Sequence, residues 1–213
     1  MQPTLIALMN NAALLLVLCV IYQLTNLINT RYSRFKQIIN GFLIALICIA
    51  IMSIPFKLYP GVVFDTRSIL ISVTALIFGP IPTIITVAAA IVFRSLQGGA
   101  GALPGVAVII SSAIIGLVWR LWIYSISPKL RWLSVYVMSL LTHVVMIACM
   151  HLLPYPDNIK VIREITLPVL LIYPVSSVPL YLLLIRQQEF VRVQKQLKQS
   201  EERFRLLFDK APL

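Results

Sequence analysis

Residues 5–28, 38–56, 132–153 and 165–185 are apolar runs with no charged side chain, and 104–124 is a further run broken only by Arg120. A run of about 18 or more apolar residues is long enough to cross a bilayer as a helix. Between the second and third of these runs, in chain order, the pattern is tighter. Residues 67–78 are apolar after Arg67, Gly79-Pro80-Ile81-Pro82 breaks the run, and the apolar pattern resumes at Thr83 and ends at Arg94. A glycine-rich loop follows, Gln97-Gly98-Gly99-Ala100-Gly101. The pattern predicts an all-α integral membrane protein, a bundle of about seven spans in which the third and fourth segments form a short Gly-Pro hairpin. Those two segments also fit a single broken span.

After Arg186 the pattern changes. Phe190, Val193, Leu197, Ser200, Phe204 and Leu207 recur at alternating intervals of three and four. That is the seam of a heptad helix. It predicts that the last span continues into a helix that pairs in parallel with a second copy; an amphipathic helix lying on the membrane is the alternative.

Composition agrees with this division. The chain is 60% hydrophobic and 12% charged, against about a quarter charged in soluble domains. The first run has no basic segment before it and no small-residue cleavage site after it, so it reads as a span and not as a signal peptide. The net charge of +11 does not indicate nucleic acid, because the basic residues gather in short connections. Arg31, Arg34 and Lys36 form one group, Arg120, Lys129 and Arg131 a second, and Arg186, Arg192, Lys195 and Lys198 a third. Such groups mark cytoplasmic loops facing anionic lipid. With seven spans they place the N-terminus outside and the C-terminus inside a bacterial cytoplasmic (inner) membrane. The connections 57–67, 94–104 and 154–164 then face outward. Trp119, Trp122 and Trp132 flank the loop with Lys129, where interfacial tryptophans belong.

The hairpin carries the candidate chemistry. Each arm has about 12 residues, or about 18 Å at 1.5 Å per residue, against a hydrocarbon core about 30 Å thick. With the Gly79 turn at the inner interface, neither arm reaches the outer one. Arg67 and Arg94 would then lie together below the outer headgroups. Intramembrane charges face a cavity or a partner, and two adjacent guanidiniums require negative charge. Asp65 supplies some. A bound anion would supply the rest, held by the guanidinium forks, by backbone N–H groups near Gly98, Gly99 and Gly101, and by the N-terminus of the fifth span, which Pro104 opens. A carboxylate is the expected ligand. In the opposing reading Asp65 neutralises one arginine, Arg94 snorkels outward and the glycines only turn the chain.

The other polar residues read as structural. His143 and His151 share a helix face but lack a third metal ligand. Cys19, Cys48 and Cys149 sit in apolar runs as small hydrophobes. Asn10 and Asn11 suit hydrogen bonds between helices. Tyr173-Pro174 and Ser176-Ser177 predict a kink in the last span. No nucleophile–base pair and no phosphate-binding loop occurs, so neither enzyme activity, metal nor cofactor is expected of this chain.

Phe64-Asp65-Thr66-Arg67-Ser68-Ile69, Phe78-Gly79-Pro80, Phe93-Arg94 and Gly98-Gly99-Ala100-Gly101-Ala102 together resemble the LytS/YhcK-type membrane receptor domain. The resemblance covers about residues 38–186, with an extra span before it. It implies a sensor that precedes histidine kinase or diguanylate cyclase modules. The hairpin is also distantly similar to substrate-binding subunits of energy-coupling-factor transporters, which implies a pocket opening outward. Residues 200–213 resemble the opening of a PAS domain, so the chain is expected to be part of a longer protein. The resulting organisation is a membrane sensor at 1–186, a signalling helix at 187–208 and the start of a PAS domain at 200–213. A transporter subunit is the rival reading; the heptad helix favours a receptor.

Overall fold

The computed structural model describes Val17 and residues 33–54, 56–59 and 62–209. Apart from Val17, the expected first span lies outside the described residues, as do Asn10, Asn11, Cys19 and Arg31. The described chain forms six helices and one small hairpin of strands. In chain order they are α1 (Ser33–Ser53), β1 (Phe56–Tyr59), β2 (Val62–Phe64), α2 (Arg67–Phe78), α3 (Pro80–Gln97), α4 (Ala102–Ile123), α5 (Arg131–Cys149) and α6 (Asp157–Asp209). Single 3₁₀ turns at Pro128–Leu130 and Met150–Leu152 flank α5. Five segments are long and apolar enough to cross a membrane: Arg34–Ser53, Pro80–Gln97, Ala102–Ile123, Pro128–Leu152 and the membrane part of α6. The chain is a helical, multi-pass membrane protein.

The short helix α2 is the centre of the bundle. After Arg67 it carries no charge and has apolar residues on every side, and such a helix is buried all round. Residues 67–77 are all buried, and α2 packs against the other five helices. It ends at Gly79, whose φ of +84° suits glycine, and Pro80 then opens α3 at the first helical position. Segments three and four are therefore two separate helices. Their lengths differ from the expected equal arms. α2 has 12 residues but α3 has 18, about 27 Å at 1.5 Å per residue. Only α2 falls well short of the bilayer, because α3 begins at Pro80 and continues beyond Arg94 to Gln97, three residues more at each end than expected.

Contacts between helices fix their directions. Gly105 near the start of α4 lies beside Arg67 at the start of α2, and Gly116 further along α4 lies beside Ser72 and Ala75. α2 and α4 therefore run parallel. α1 and α3 are also parallel: Gly41 meets Pro82 and Ile85, and Gln97 Nε2 donates to the Met52 main-chain oxygen at 3.0 Å. α5 runs antiparallel to α4, since Trp119 Nε1 donates to Ser134 Oγ at 2.8 Å near one end while Gly105 and Val108 lie near Met146 at the other. It is antiparallel to α6 as well, since Ser139 meets Ser177 and His143 meets Tyr173. Lipid is as apolar as leucine, so close packing at small residues holds such helices together. A Cβ on Gly116 would collide with the Ser72 main-chain oxygen, which shows how near the two backbones come.

Two expected loops are structured differently. The connection 57–66 contains the antiparallel pair β1–β2, in the register Phe56↔Phe64, Lys57↔Val63 and Tyr59↔Val62. Aromatic and β-branched residues on both sides of Pro60-Gly61 favour such a pairing. The expected loop 154–164 is much shorter, because α6 already begins at Asp157. From there α6 runs 53 residues without interruption, with Pro168, Pro174 and Pro179 inside it. The last span and the heptad segment are thus one helix.

Candidate functional site

Asp65 starts the site. Its Oδ1 accepts the backbone N–H of Arg67 at 3.0 Å, satisfying one of the donors left over at the start of α2. Its Oδ2 lies 3.4 Å from Arg67 Nη1, an ion pair without hydrogen-bond geometry. The guanidinium of Arg67 is thereby held at the end of α2, pointing across to α4. Arg94 arrives from the last turn of α3, where its Nη1 donates to Gln97 Oε1 at 3.2 Å. Gln97 is itself tied to α1 through Met52. Asp65, Arg67 and Arg94 are only 4%, 7% and 3% exposed.

Both arginines meet the same glycine. A Cβ on Gly105 would lie 2.7 Å from Arg94 Nε and 3.2 Å from Arg67 Nη2. Only the absence of a side chain there lets the two guanidiniums approach α4 together. Next to them is a cavity of about 20 Å³, enough for one water-sized molecule. Asp65, Arg67, Ser68 and Arg94 form its polar wall, and Gly101, Pro104, Gly105 and Val108 of the α4 end form a second wall. Met146, Met150 and Leu153 close it from the α5 side. The lining carries two guanidiniums and one carboxylate, so its formal charge is +1. The N-terminal dipole of α4 adds to the positive potential.

Four of the six site residues expected from sequence line this cavity: Asp65, Arg67, Arg94 and Gly101. Gly98 and Gly99 do not. With φ of +62° and +81° they end α3 and turn the chain. Gly98 N–H donates to the Ser95 oxygen at 3.2 Å, and Gly99 oxygen accepts from Ala102 N–H at 3.0 Å. Their conformation is what brings the start of α4 back to the arginines.

Sequence reasoning missed Ser68, Gly105, Met146 and Met150. Ser68 and Gly105 directly follow residues that were singled out, Arg67 and Pro104, but adjacent helical residues do not share a face, so no helix-face pattern marks them. The methionines carry no such signal, since any apolar run contains similar residues. His143 and His151 do not converge: His143 is buried in the bundle, while His151 is exposed in the turn after α5. Among the described residues, no group of three or more His, Cys, Asp or Glu is placed to hold a metal ion.

A family model described as 5TMR of 5TMR-LYT matches residues 21–188. The match takes in α1 to α5, the membrane part of α6 and every residue of the cavity wall. Neither the curated proteins nor the solved structures give a significant match.

Proposed function

The chain belongs to the 5TMR-LYT family, multi-span membrane sensor domains, and from that premise we propose that it detects a small extracytoplasmic anion, a carboxylate, at Arg67 and Arg94. The observation that carries this reading is the convergence of both buried guanidiniums on Gly105, in a lining with a single carboxylate. Guanidiniums bind carboxylates through paired, charge-assisted hydrogen bonds, and a desolvated cationic site favours an anionic occupant.

The cavity volume adds a mechanistic point. About 20 Å³ holds one water-sized molecule, so the site has to widen for anything larger. A ligand that fits only the wider arrangement shifts the population toward it. Met146 and Met150, unbranched and adaptable, form the wall best able to yield, and both belong to the α5 end. α5 packs along α6, so widening the site changes the contact that α6 makes with the bundle.

The output follows from α6. It leaves the bundle as an unbroken helix, with Phe190, Val193 and Leu197 apolar and exposed along one stripe. We take this stripe as the seam of a parallel homodimer, and α6 as the relay to cytoplasmic PAS and kinase or cyclase modules. The N-terminus then lies outside and the C-terminus inside the cytoplasmic membrane.

Small carboxylates screened against the purified chain by thermal shift, then titrated by calorimetry, test the site. Arg67→Ala and Arg94→Ala should each weaken binding by about one to two orders of magnitude, since a hydrogen bond to a charged group contributes about 1.5–3 kcal/mol and about 1.4 kcal/mol is tenfold. Lysine at either position should restore only part of the affinity. A carboxylate that binds both alanine variants as tightly as wild type would place the pocket elsewhere and leave the arginines structural.

A further inference from the structure

A line of buried polar side chains joins the cavity wall to α6. Ser68 follows Arg67 on α2 and lines the cavity. Its Oγ lies 3.1 Å from Nε2 of His143 on α5, a residue with 0% exposure. On the other side of the ring, Nδ1 lies 2.6 Å from the Ser139 main-chain oxygen. Ser139 Oγ is 2.6 Å from Ser177 Oγ on α6, and the imidazole meets the Tyr173 ring edge-on, 5.0 Å between centroids. Ser139, His143, Met146 and Met150 follow at intervals of four, three and four, so one face of α5 carries both this line and the adaptable cavity wall.

The proton positions follow from the chemistry of the partners. A main-chain oxygen only accepts, so Nδ1 carries the ring proton and donates to Ser139. Nε2 then offers a lone pair, and the Ser68 hydroxyl donates to it. Ser68 has one hydroxyl proton. An anion in the cavity is a stronger acceptor than an imidazole nitrogen, because charge-assisted hydrogen bonds are roughly twice as strong as neutral ones. Anion and His143 therefore compete for one donor.

We propose that this competition is the coupling step between the site and the signalling helix, a step that rests on the anion reading of the cavity. The bound anion takes the Ser68 hydroxyl, and Nε2 of His143 is left buried without a donor. Such a group is unfavourable, so the ring reorients and its contacts with Ser139 and Tyr173 change. α6 is deformable where that change arrives. Pro174 and Pro179 have no N–H, so the carbonyls of Leu170 and Val175 lack a helical donor, and Ser177 sits between the two prolines. His143 acts here as a positioning residue, and Ser68 as the group that reads occupancy.

The chain has two histidines, so [¹⁵N]histidine labelling of the full chain in lipid nanodiscs gives two imidazoles, which His151→Gln assigns. Formate, the smallest carboxylate, is the probe. Without formate, Ser68→Ala should move the His143 Nε2 resonance toward that of a nitrogen without a donor. Formate should move wild-type Nε2 in the same direction and leave it unmoved in Ser68→Ala. Formate should change the disulfide cross-linking of Val193→Cys in the otherwise wild-type chain, and cross-linking that does not respond to formate overturns the proposal. Ser177→Ala, which does not line the cavity, should keep the formate shift at Nε2 but lose that change. An Nε2 resonance indifferent to Ser68→Ala overturns the proposal. So does formate that perturbs the Met146 and Met150 methyl resonances while leaving Nε2 in place, or a cross-linking response that survives in Ser177→Ala. If Ser68→Ala moves Nε2 but formate moves neither the imidazole nor the methionine methyls, the anion reading itself falls, and with it the trigger.

Discussion

Arg120 Nη1 donates to the main-chain oxygen of Leu76 at 2.6 Å, and the same nitrogen lies 2.7 Å from the oxygen of Ile77. Leu76 and Ile77 end the short central helix, where carbonyls have no helical donor. A cation at a helix C-terminus also complements the helix dipole. One arginine from α4 thus closes the end of α2 that the bilayer would otherwise leave unsatisfied, on the opposite end of α2 from Arg67.

Arg120→Ala is expected to destabilise the fold by about 1.5–3 kcal/mol, the range for a hydrogen bond to a charged group. Arg120→Lys should recover part of the loss, since one nitrogen serves both carbonyls and an ammonium also has donors for two, on a shorter side chain. Reversible unfolding in mixed micelles measures the difference. An alanine variant as stable as wild type would mean that water reaches these carbonyls.

Two glycines on α4 should respond in opposite ways. At Gly105 an added Cβ meets the flexible arginine side chains, which can shift, whereas at Gly116 it meets backbone. Gly105→Ala should keep most of the stability and lose at least about tenfold in carboxylate affinity, a change of about 1.4 kcal/mol. Gly116→Ala should separate α2 from α4 and cost about 1–3 kcal/mol, as overpacking does. Thermal unfolding and calorimetry on both variants distinguish the two effects.

The seam on α6 makes a positional prediction. Val193→Cys and Leu197→Cys should cross-link to the same position in a second copy, and Gln194→Cys and Gln196→Cys much less. Equal cross-linking at all four positions would indicate a helix lying on the membrane.

Topology is tested at the ends of α5 and α6. In sealed cells Asn158→Cys should react with an impermeant thiol reagent and Ser127→Cys should not. Labelling at Ser127→Cys from outside would invert the orientation.

Long apolar runs located α1, α4, α5 and the membrane part of α6 because spans of that length leave a strong signal. It located the break at Gly79 because glycine and proline are read locally. It did not give the end of α3. Ser95, Leu96 and Gln97 continue that helix beyond Arg94, and nothing about an arginine marks it as three residues from a helix end. Asp65, Arg67 and Arg94 were visible as charges out of place in lipid. The Ser68–His143–Ser139–Ser177 line was not, because a serine or histidine in an apolar run has the same local pattern whether it faces lipid or a partner helix. Only the packing of α2, α5 and α6 brings together residues as far apart in sequence as Ser68 and His143. Arg120 illustrates the same limit: counted by sequence it is one more basic residue near a loop, and only the fold shows that it turns back onto α2.

The uninterrupted course of α6 also sets a mechanical gain. From Ser177 to Glu201 the helix extends about 36 Å at 1.5 Å per residue. A tilt of roughly 5° pivoting at Ser177 would displace Glu201 sideways by about 3 Å over that length. A change of tilt near Ser177 would thereby reach the heptad segment as a sideways displacement that grows with distance from the bundle.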